Sequence, residues 1–363
     1  MPHPHARSKA WDPVNALPWE TRVRIVAALT EGNSLRATAR LVGVSKNAVM
    51  HFALRVGEGC EHLHNRLVRG IGAPLVECDE RWSFIGKKEA RVEPGVDPAE
   101  WGDVYTFVAL DAVTKLVIAY YVGKRDQPST DAFIIDLRSR LTVVPHLSTD
   151  GFSPYAQAVG ASFLGVADYG MVVKNYSRGA QRGPDHRYEP PRDPFITKTA
   201  VQGAPDLERL STSHVERNNL TMRHTVGRTR RLCLAFSKTL RGHRAAEALG
   251  FAAYNFVRVC GPIGMTPAMS AGIVDRPWTV AELMDAALAE VPVDKPTPQP
   301  LALPPGRAAQ AARALPNGRG WLRAVDGGKG APPAAPAPAA PAAPRGVQLD
   351  LFGLDLVPPK GEE

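Results

Sequence analysis

The sequence has few cysteines and no long apolar run. Four cysteines occur among the 363 residues, and no two of them form a C-x-x-C pair. This spacing argues against a structural zinc site and against a disulfide framework. No apolar run is long enough to cross a bilayer, and the first residues lack the apolar core of a signal peptide. We therefore expect a cytoplasmic, nucleoid-associated protein without a membrane partner.

Acidic residues are missing from one long stretch of the second half. Eight Lys or Arg residues and no Asp or Glu lie between Arg217 and Arg244, and Glu216 stands directly before this run. Solvated faces usually mix both signs, so a run of one sign, in a chain of net charge +8, favours a nucleic-acid partner. We expect Ser213 to cap a helix that carries Glu216 in its first turn, with Arg223 on the same face. A surface charge pair between Glu216 and Arg223 is the alternative.

Residues 18–56 have the pattern of a helix-turn-helix domain. Ala39 allows two helices to cross closely, Gly43 suits the turn, and Ser45 suits the cap of the second helix. Ten Lys or Arg against five Asp or Glu in residues 1–70 favour DNA binding over a plain helical hairpin. The predicted recognition helix exposes four residues toward DNA, namely Lys46, Asn47, His51 and Arg55.

The pattern after residue 74 changes to alternating strands and helices. Strands are expected at 75–86, 104–110, 115–122, 143–149 and 161–166, with helices after the third and fourth strands and again after residue 213. This order predicts an α/β fold with a mixed five-stranded sheet flanked by helices. The segment 168–210, rich in Arg, Gly and Pro, is expected to be irregular.

The composition also predicts where the domains end. The predicted segments are a flexible arm (1–17), the helix-turn-helix domain (18–56), a linker (57–73), a catalytic domain (74–262), a helical extension (263–290) and a disordered Pro/Ala-rich tail (291–363). The tail ends in a short apolar island.

Three acids have the placement of metal ligands. Asp79 lies within an otherwise apolar strand, where an unpartnered acid is costly. Asp150 follows the fourth strand and precedes Gly151, and Glu216 lies on a later helix. Few carboxylates suffice for Mg²⁺, which keeps some of its waters. Glu80 is expected to point to the opposite strand face from Asp79, and Asp111 to serve a hairpin turn.

Three strings in this region resemble catalytic blocks of a known enzyme family. They are CDERWSFIG (78–86), STDGFSPYA (148–156) and HVERNNLTMRHTVGRTRRLCLAFSKT (214–239). They are similar to the blocks of insertion-sequence transposases, most of all the group named after insertion sequence one. The resemblance covers residues 75–260. Unlike that group, this chain lacks N-terminal zinc-binding cysteines, which leaves the helix-turn-helix to recognise DNA ends.

The resemblance implies a ribonuclease H-like domain that cleaves transposon ends and transfers the freed strand into target DNA. It implies catalytic and metal-binding roles for Asp79, Asp150 and Glu216 with two Mg²⁺ ions (Mn²⁺ as a substitute), Asp79 bridging both. Two ends must be brought together, so a homo-oligomer on DNA is expected. The basic residues expected to contact DNA phosphates are Arg223, Arg228, Arg230 and Arg231.

Two further functions and one partner fit the same residues. The chain could be a DNA-binding protein with an inactive catalytic domain, or a nuclease of this fold that performs no strand transfer. The tail peptide around Gln348, Leu349, Leu351 and Phe352 resembles the motif by which bacterial DNA-processing proteins bind the replication sliding clamp. On a Pro/Ala spacer, this peptide could reach the clamp while the rest of the chain stays on DNA.

Overall fold

The computed structural model describes residues 17–175, 195–231 and 233–291, which belong to one compact unit. The predicted arm, apart from Leu17, and the predicted tail beyond Val291 lie outside the described residues. The sliding-clamp peptide, with Gln348, Leu349, Leu351 and Phe352, therefore stays a prediction.

Within the described residues, a mixed sheet of six strands, numbered β1 to β6 along the chain, forms the centre of the unit in the order β3-β2-β1-β4-β5-β6. Strands β1, β2 and β3 form an antiparallel meander, β4 and β5 run parallel to β1, and β6 is antiparallel to β5. The strands are β1 (Leu75–Ile85), β2 (Gly102–Asp111), β3 (Val117–Gly123), β4 (His146–Thr149), β5 (Asp168–Asn175) and β6 (Phe195–Gln202).

The α/β architecture is as predicted, but the fifth strand was misplaced and the sixth was missed. Residues 161–166 finish a helix and turn, with Leu164 and Gly165 both at positive φ. The fifth and sixth strands lie inside 168–210, which was expected to be irregular. Strand β6 is exposed along most of its length, so it lacks the alternation of a strand with one buried face.

Helices cover both faces of the sheet. Helices α6 and α7 pack on one face, where Val215 and Phe251 meet Val108 of β2. Helices α4 and α5 pack on the other, where Phe107 of β2 meets Phe133 and Tyr155. The helices are α1 (Trp19–Thr30), α2 (Leu35–Val42), α3 (Lys46–Leu67), α4 (Gln127–Arg140), α5 (Pro154–Ser162), α6 (Ser213–Thr225), α7 (Leu240–Ala252), α8 (Pro267–Ser270) and α9 (Val280–Glu290).

The predicted helix-turn-helix is present in α2 and α3. Gly43 ends α2 with a φ of 79°, a left-handed conformation that favours glycine, and the Ser45 hydroxyl accepts a hydrogen bond from the Ala48 amide at the start of α3. Ala39 and Val49 pack against Ile25 of α1. The sequence therefore placed the turn, the cap and the small crossing residue correctly.

The segment 57–73 is not a linker along its whole length, because α3 continues through it to Leu67. Two glycines let other helices approach this half of α3. A Cβ at Gly57 would lie 2.2 Å from the carbonyl oxygen of Ala245 in α7, and one at Gly59 would lie 2.1 Å from that of Ala287 in α9. Helix α3 is thus packed directly onto α7 and α9. Among the described residues, no helix has both the length and the hydropathy for crossing a membrane.

A candidate carboxylate site at the open edge of the central strand

The site lies where the central strand β1 loses its neighbour on one side. Strand β4 pairs with β1 only from Leu75 to Glu77 and ends at Thr149, so Asp150 follows directly after it. Asp79 lies two residues beyond Glu77, the last residue of β1 that pairs with β4. The two predicted acids therefore meet at the same open edge of the sheet.

A third carboxylate joins them. Carboxylate oxygens of Asp79, Glu80 and Asp150 all lie within 4.8 Å of one another. Glu80 lies on the opposite strand face from Asp79, as expected, but its carboxylate still reaches the same group. Adjacent side chains leave a strand on opposite faces, but this edge is unpaired, so the longer Glu80 side chain can bring its carboxylate to the same place.

Burial and mutual proximity raise the pKa values of these three acids. Burial, together with the charge of Asp150, raises the pKa of Asp79 to about 6, although a hydrogen bond from Asn219 lowers it. Burial and the charge of Asp150 raise the pKa of Glu80 to about 7. Burial also raises the pKa of Asp150, against a hydrogen bond from the Phe152 amide. Partly buried carboxylates that resist ionisation form a donor set that a divalent cation would stabilise.

Arg125 balances part of this negative charge. Its Nε donates to Glu80 Oε1 at 2.5 Å, and its Nη2 lies 3.7 Å from Asp150 Oδ2. The guanidinium also lies over the ring of Phe152, 3.9 Å from the ring centroid. A cation thus borders the carboxylates on the side of α5.

Glu216, the third predicted acid, is carried by α6, and a residue of β1 holds the start of that helix. Glu77 Oε2 accepts hydrogen bonds from the amides of His214 at 2.8 Å and Val215 at 3.0 Å, while Oε1 lies 2.7 Å from His214 Nδ1. The predicted cap by Ser213 is wrong. Thr212 is the residue before the helix, and the buried Glu77 carboxylate of β1 accepts hydrogen bonds from the first amides.

Glu216 is close to the other acids but has its own partner. Lys174 Nζ of β5 lies 2.5 Å from both carboxylate oxygens, and the Thr212 hydroxyl donates to Oε1 at 2.7 Å. The charge of Glu216 contributes to the raised pKa values of Asp79 and Asp150. The structure therefore brings the three predicted acids to one region and leaves Glu216 outside the compact group of three.

A buried hydrogen-bond network holds Asp79 on the side of α6 and α7. The Asn219 side-chain amide donates to Asp79 Oδ2 at 2.8 Å, and Arg81 Nη1 donates to Asn219 Oδ1 at 3.2 Å. Because Arg81 can only donate, it fixes which end of the amide faces Asp79. Arg81 Nη2 in turn donates to Glu247 Oε2 at 2.5 Å, and both charged side chains are essentially inaccessible to solvent.

Further contacts complete the network around Glu247. The Thr106 hydroxyl donates to Glu247 Oε1 at 3.3 Å, and His243 Nε2 lies 3.6 Å from the same atom. Burial acts against the charged form, but Arg81 and His243 hold the pKa of Glu247 below its usual range. A buried charge pair of this kind is costly to break, so Asn219 and Asp79 are held by a rigid support.

The predicted DNA-contacting arginines after Glu216 have different environments. Arg223 donates from Nη1 to the Thr229 carbonyl at 2.9 Å and from Nη2 to the Trp82 carbonyl at 3.3 Å. Burial lowers the pKa of Arg223 to about 10 and also lowers the pKa of Arg228. Arg230 and Arg231 are exposed. The described contacts of Arg223 thus differ from the surface pair with Glu216 that the sequence left open.

On the helix-turn-helix, the four predicted DNA-contacting residues are all exposed. Lys46, Asn47, His51 and Arg55 lie on the half of α3 that precedes its packing against α7 and α9. This half of α3 therefore exposes polar and basic side chains, together with Met50.

Comparison with known proteins gives little beyond this geometry. No protein-family model and no curated protein matches the chain. One solved structure, the Mos1 transposase paired-end complex with the left transposon end, is 17% identical, with a TM-score of 0.16 over 42% of this chain and 59% of that one. A second, the Mos1 strand transfer complex, is 16% identical, with a TM-score of 0.19 over 66% of this chain and 78% of that one. At these TM-scores, function has to be argued from the site itself.

Sequence reasoning missed several residues that shape the site. Glu77, Asp79 and Arg81 occupy alternate positions of one strand, and charges two residues apart on a buried strand signal a polar network. Asn219, Arg125 and Lys174 carried no comparable signal, because their contacts join parts of the chain that lie far apart in sequence.

Proposed function

We propose that this protein is a DNA transposase that cleaves phosphodiester bonds at transposon ends and transfers the freed strand to target DNA. The observation that carries the proposal is the meeting of Asp79, Glu80 and Asp150 at an open sheet edge, beside the helix that bears Glu216. Acids with raised pKa values at an open sheet edge, beside basic residues, suit phosphoryl chemistry on a polyanion better than a structural role.

The donor chemistry fits hard divalent cations. The carboxylate oxygens of Asp79, Asp150 and Glu216 would hold two Mg²⁺ or Mn²⁺ ions, with Glu80 as an additional oxygen donor. Bound ions would supply charge stabilisation at the attacking and leaving oxygens of the phosphodiester. Asn219 would keep one Asp79 oxygen occupied and leave the other directed at the open edge.

The cations around the acids have a second use in this proposal. Lys174 and Arg125 are partly exposed and border the carboxylates from β5 and from the end of β3. If the carboxylates held divalent ions, Lys174 and Arg125 would no longer be needed to neutralise them. These two side chains would then be available for phosphate oxygens of the bound DNA. They would align the backbone of the strand that is cut.

End recognition would come from α3. Its exposed Lys46 and Asn47 lie in the first turn, where residues of a recognition helix reach base edges, while His51 and Arg55 lie one and two turns further on. Of the four arginines predicted to contact phosphates, Arg230 and Arg231 are exposed and therefore the most accessible to DNA. Replacing Lys46 and Asn47 with Ala should weaken binding to end DNA more than binding to random DNA at one fixed salt concentration. Equal losses would remove α3 from sequence recognition.

The assembly and the tail remain proposals of the same kind. We expect two copies of the chain to hold two DNA ends. A measurement of the molecular mass of the protein–DNA complex tests this expectation. We also expect the full chain to bind the replication sliding clamp and a Leu351→Ala, Phe352→Ala variant to lose that binding. Equal retention of the clamp by both chains would end this part of the proposal.

The experiment for the catalytic claim uses end DNA in two forms. With uncut ends and Mg²⁺, the wild type should cleave, and with precut ends it should join them to target DNA. Asp79→Asn, Asp150→Asn and Glu216→Gln should each lose both reactions by about 10³-fold or more, because several kcal/mol of charge stabilisation depends on these ligands. End binding should be unchanged.

Asp111→Asn is the matched control, because Asp111 is a buried acid that serves the β2–β3 turn. Cleavage without joining would indicate a nuclease of this fold, and neither reaction with intact end binding would indicate a DNA-binding protein. Near wild-type activity in any of the three ligand variants would overturn the assignment.

A further inference from the structure

Past the carboxylates, β1 carries aromatic side chains on an accessible face. Glu80, Trp82 and Phe84 alternate along the strand and so share one face, and Tyr105 of β2 lies opposite Trp82 in the strand register. Phe236, from the loop before α7, joins this face. We call Trp82, Phe84, Tyr105 and Phe236 the aromatic strip. All four are half-buried, so part of each ring is open to solvent.

Three rings of the strip, those of Trp82, Phe84 and Phe236, form a continuous contact. The centroids of Trp82 and Phe84 are 5.8 Å apart, and those of Phe84 and Phe236 are 4.7 Å apart. The loop that carries Phe236 is fixed to the end of β1, where the Gly86 amide donates to the Ser237 carbonyl at 2.8 Å. The loop occupies the part of the edge that β4 leaves free, and its position places the third ring beside the first two.

Cations lie over the faces of these rings. Lys88 Nζ is 5.6 Å from the Trp82 ring centroid, Lys238 Nζ is 3.4 Å from that of Phe236, and the Arg125 guanidinium is 5.9 Å from that of Tyr105. Lysine side chains are flexible and their ammonium groups are strongly hydrated. They can leave a ring face for a phosphate at little cost, and the face is then free for another flat group.

An ordinary hydrophobic core does not explain the strip. Further back on the same sheet face, Phe107 is fully buried by Phe133 and Tyr155 from α4 and α5. Toward the end of β1 these helices no longer cover the sheet, and cations take their place. Exposed aromatic rings beside positive charges are the combination with which proteins bind unpaired nucleotides, because every base has a flat face and every nucleotide a phosphate.

We propose that the aromatic strip binds unpaired bases of a DNA strand that passes the carboxylate site. Glu80 belongs both to the carboxylate group and to the face that carries the strip, so the strand would leave the reacting phosphate directly onto the rings. Bases stack on Trp82 and Phe236, while Lys88 and Lys238 contact the neighbouring phosphates. This inference rests on the proposed function for its ligand, DNA, and adds that the strand beside the cut is unpaired.

The test measures binding of the full chain in EDTA, where no cleavage occurs, by fluorescence anisotropy. The probe is a hairpin duplex with a 3′ extension of unpaired thymidines, and its partner carries an abasic extension with the same phosphates. The wild type should bind the thymidine probe about tenfold more tightly than the abasic probe. Trp82→Ala and Phe236→Ala should each remove most of this preference and leave abasic binding unchanged.

Two controls separate stacking from charge. Phe195→Ala, at an exposed ring on β6 away from the strip, should keep the full preference. Lys238→Ala should weaken both probes equally and reduce the slope of log affinity against log salt by about one, as expected for one lost phosphate contact. Thermal melting and binding to a blunt hairpin verify that each variant is folded.

The comparison of the two probes needs no variant, so it decides the proposal even where a substitution disturbs folding. Equal affinity of the wild type for both probes overturns the strip as a base-binding surface and leaves the catalytic proposal standing. Equal loss on both probes in Trp82→Ala also overturns it. A clear base preference in a chain without cleavage activity would support the strip and count against the transposase assignment.

Discussion

The two faces of strand β1 differ in how firmly their side chains are held. On the face toward α6 and α7, Glu77 and Arg81 are almost inaccessible to solvent, and both make hydrogen bonds to these helices. On the opposite face, past the carboxylates, Trp82 and Phe84 are half-exposed and meet cations and other rings. Asp79 and Glu80 lie where the two faces meet at the open edge.

The contrast indicates a division of roles along a single strand. Charged groups that are buried and fully paired have one low-energy arrangement, so the inner face fixes where the acids lie. Half-exposed rings and lysines can exchange partners at little cost, so the outer face is free to receive a ligand. If this division holds, substitutions on the inner face should affect stability and geometry most, and those of the half-exposed rings and lysines on the outer face should affect mainly binding.

The largest effect is expected from Arg81→Ala. Removal of Arg81 leaves the Glu247 carboxylate buried without its main partner, which costs about 3–5 kcal/mol in the free energy of unfolding. Urea denaturation of the wild type and the variant measures this difference. Trp82→Ala on the opposite face should change the unfolding free energy far less. Equal destabilisation by the two substitutions would remove the contrast between the faces.

A double variant sharpens the same test. Arg81→Met with Glu247→Leu removes both charges from the interior, so much of the stability lost in Arg81→Ala should return. The orientation of the Asn219 amide would still be lost, because no donor remains at its oxygen. We therefore expect a folded protein with reduced cleavage. Full activity in the double variant would show that the network serves stability alone.

An intermediate effect is expected from Asn219→Ala. Loss of the amide frees Asp79 to rotate, and residues that orient metal ligands typically contribute 10–100-fold to affinity or activity. We expect cleavage to fall by about that factor and the Mg²⁺ concentration for half-maximal rate to rise. Leu220→Ala, at an exposed position on the same helix, is the matched control. A lower rate with an unchanged Mg²⁺ requirement would contradict the orienting role.

The smallest effect is expected from Glu80→Gln, and it depends on pH. The pKa of Glu80 is raised to about 7, so ionised Glu80 destabilises the folded state. That penalty is absent below about pH 4.5 and grows as the pH rises through 7. Without divalent metal, Glu80→Gln should therefore be more stable than the wild type by about 1–2 kcal/mol at pH 8 and no more stable at pH 4.5.

Buried His64 and His243 have the opposite effect on the pH dependence of stability. Burial lowers their pKa values to about 3 and about 4. Both chains share these histidines, so their contribution cancels in the difference between variant and wild type. Urea denaturation at pH 4.5, 6 and 8 measures that difference. A constant difference at all three pH values would show that Glu80 is not strained by its neighbours.

The sequence predicted the parts of the site that depend on local order. Strand β1, the turn after Asp150 and the helix of Glu216 follow from apolar patterns and turn residues that lie next to them. The helix-turn-helix was predictable for the same reason, since Ala39, Gly43 and Ser45 act on their own neighbours. These features need no information about distant parts of the chain.

The remaining features depend on contacts between distant segments. Glu80 joins the acids because β4 is short and leaves one side of β1 unpaired beyond Glu77. The sequence of β1 does not indicate how long its neighbouring strand is. The cap of α6 comes from Glu77, which precedes the helix by well over a hundred residues. Strand β6 was missed because it has no buried face, so its side chains carry no alternation.

Asp79 and Asp150 are expected to form a divalent-cation site. Mn²⁺ titration followed by electron paramagnetic resonance tests this site without any DNA substrate. The full chain should show saturable Mn²⁺ binding that is strongly weakened in Asp79→Asn and in Asp150→Asn and retained in Asp111→Asn. Binding by Asp79→Asn that equals the wild type would contradict the account.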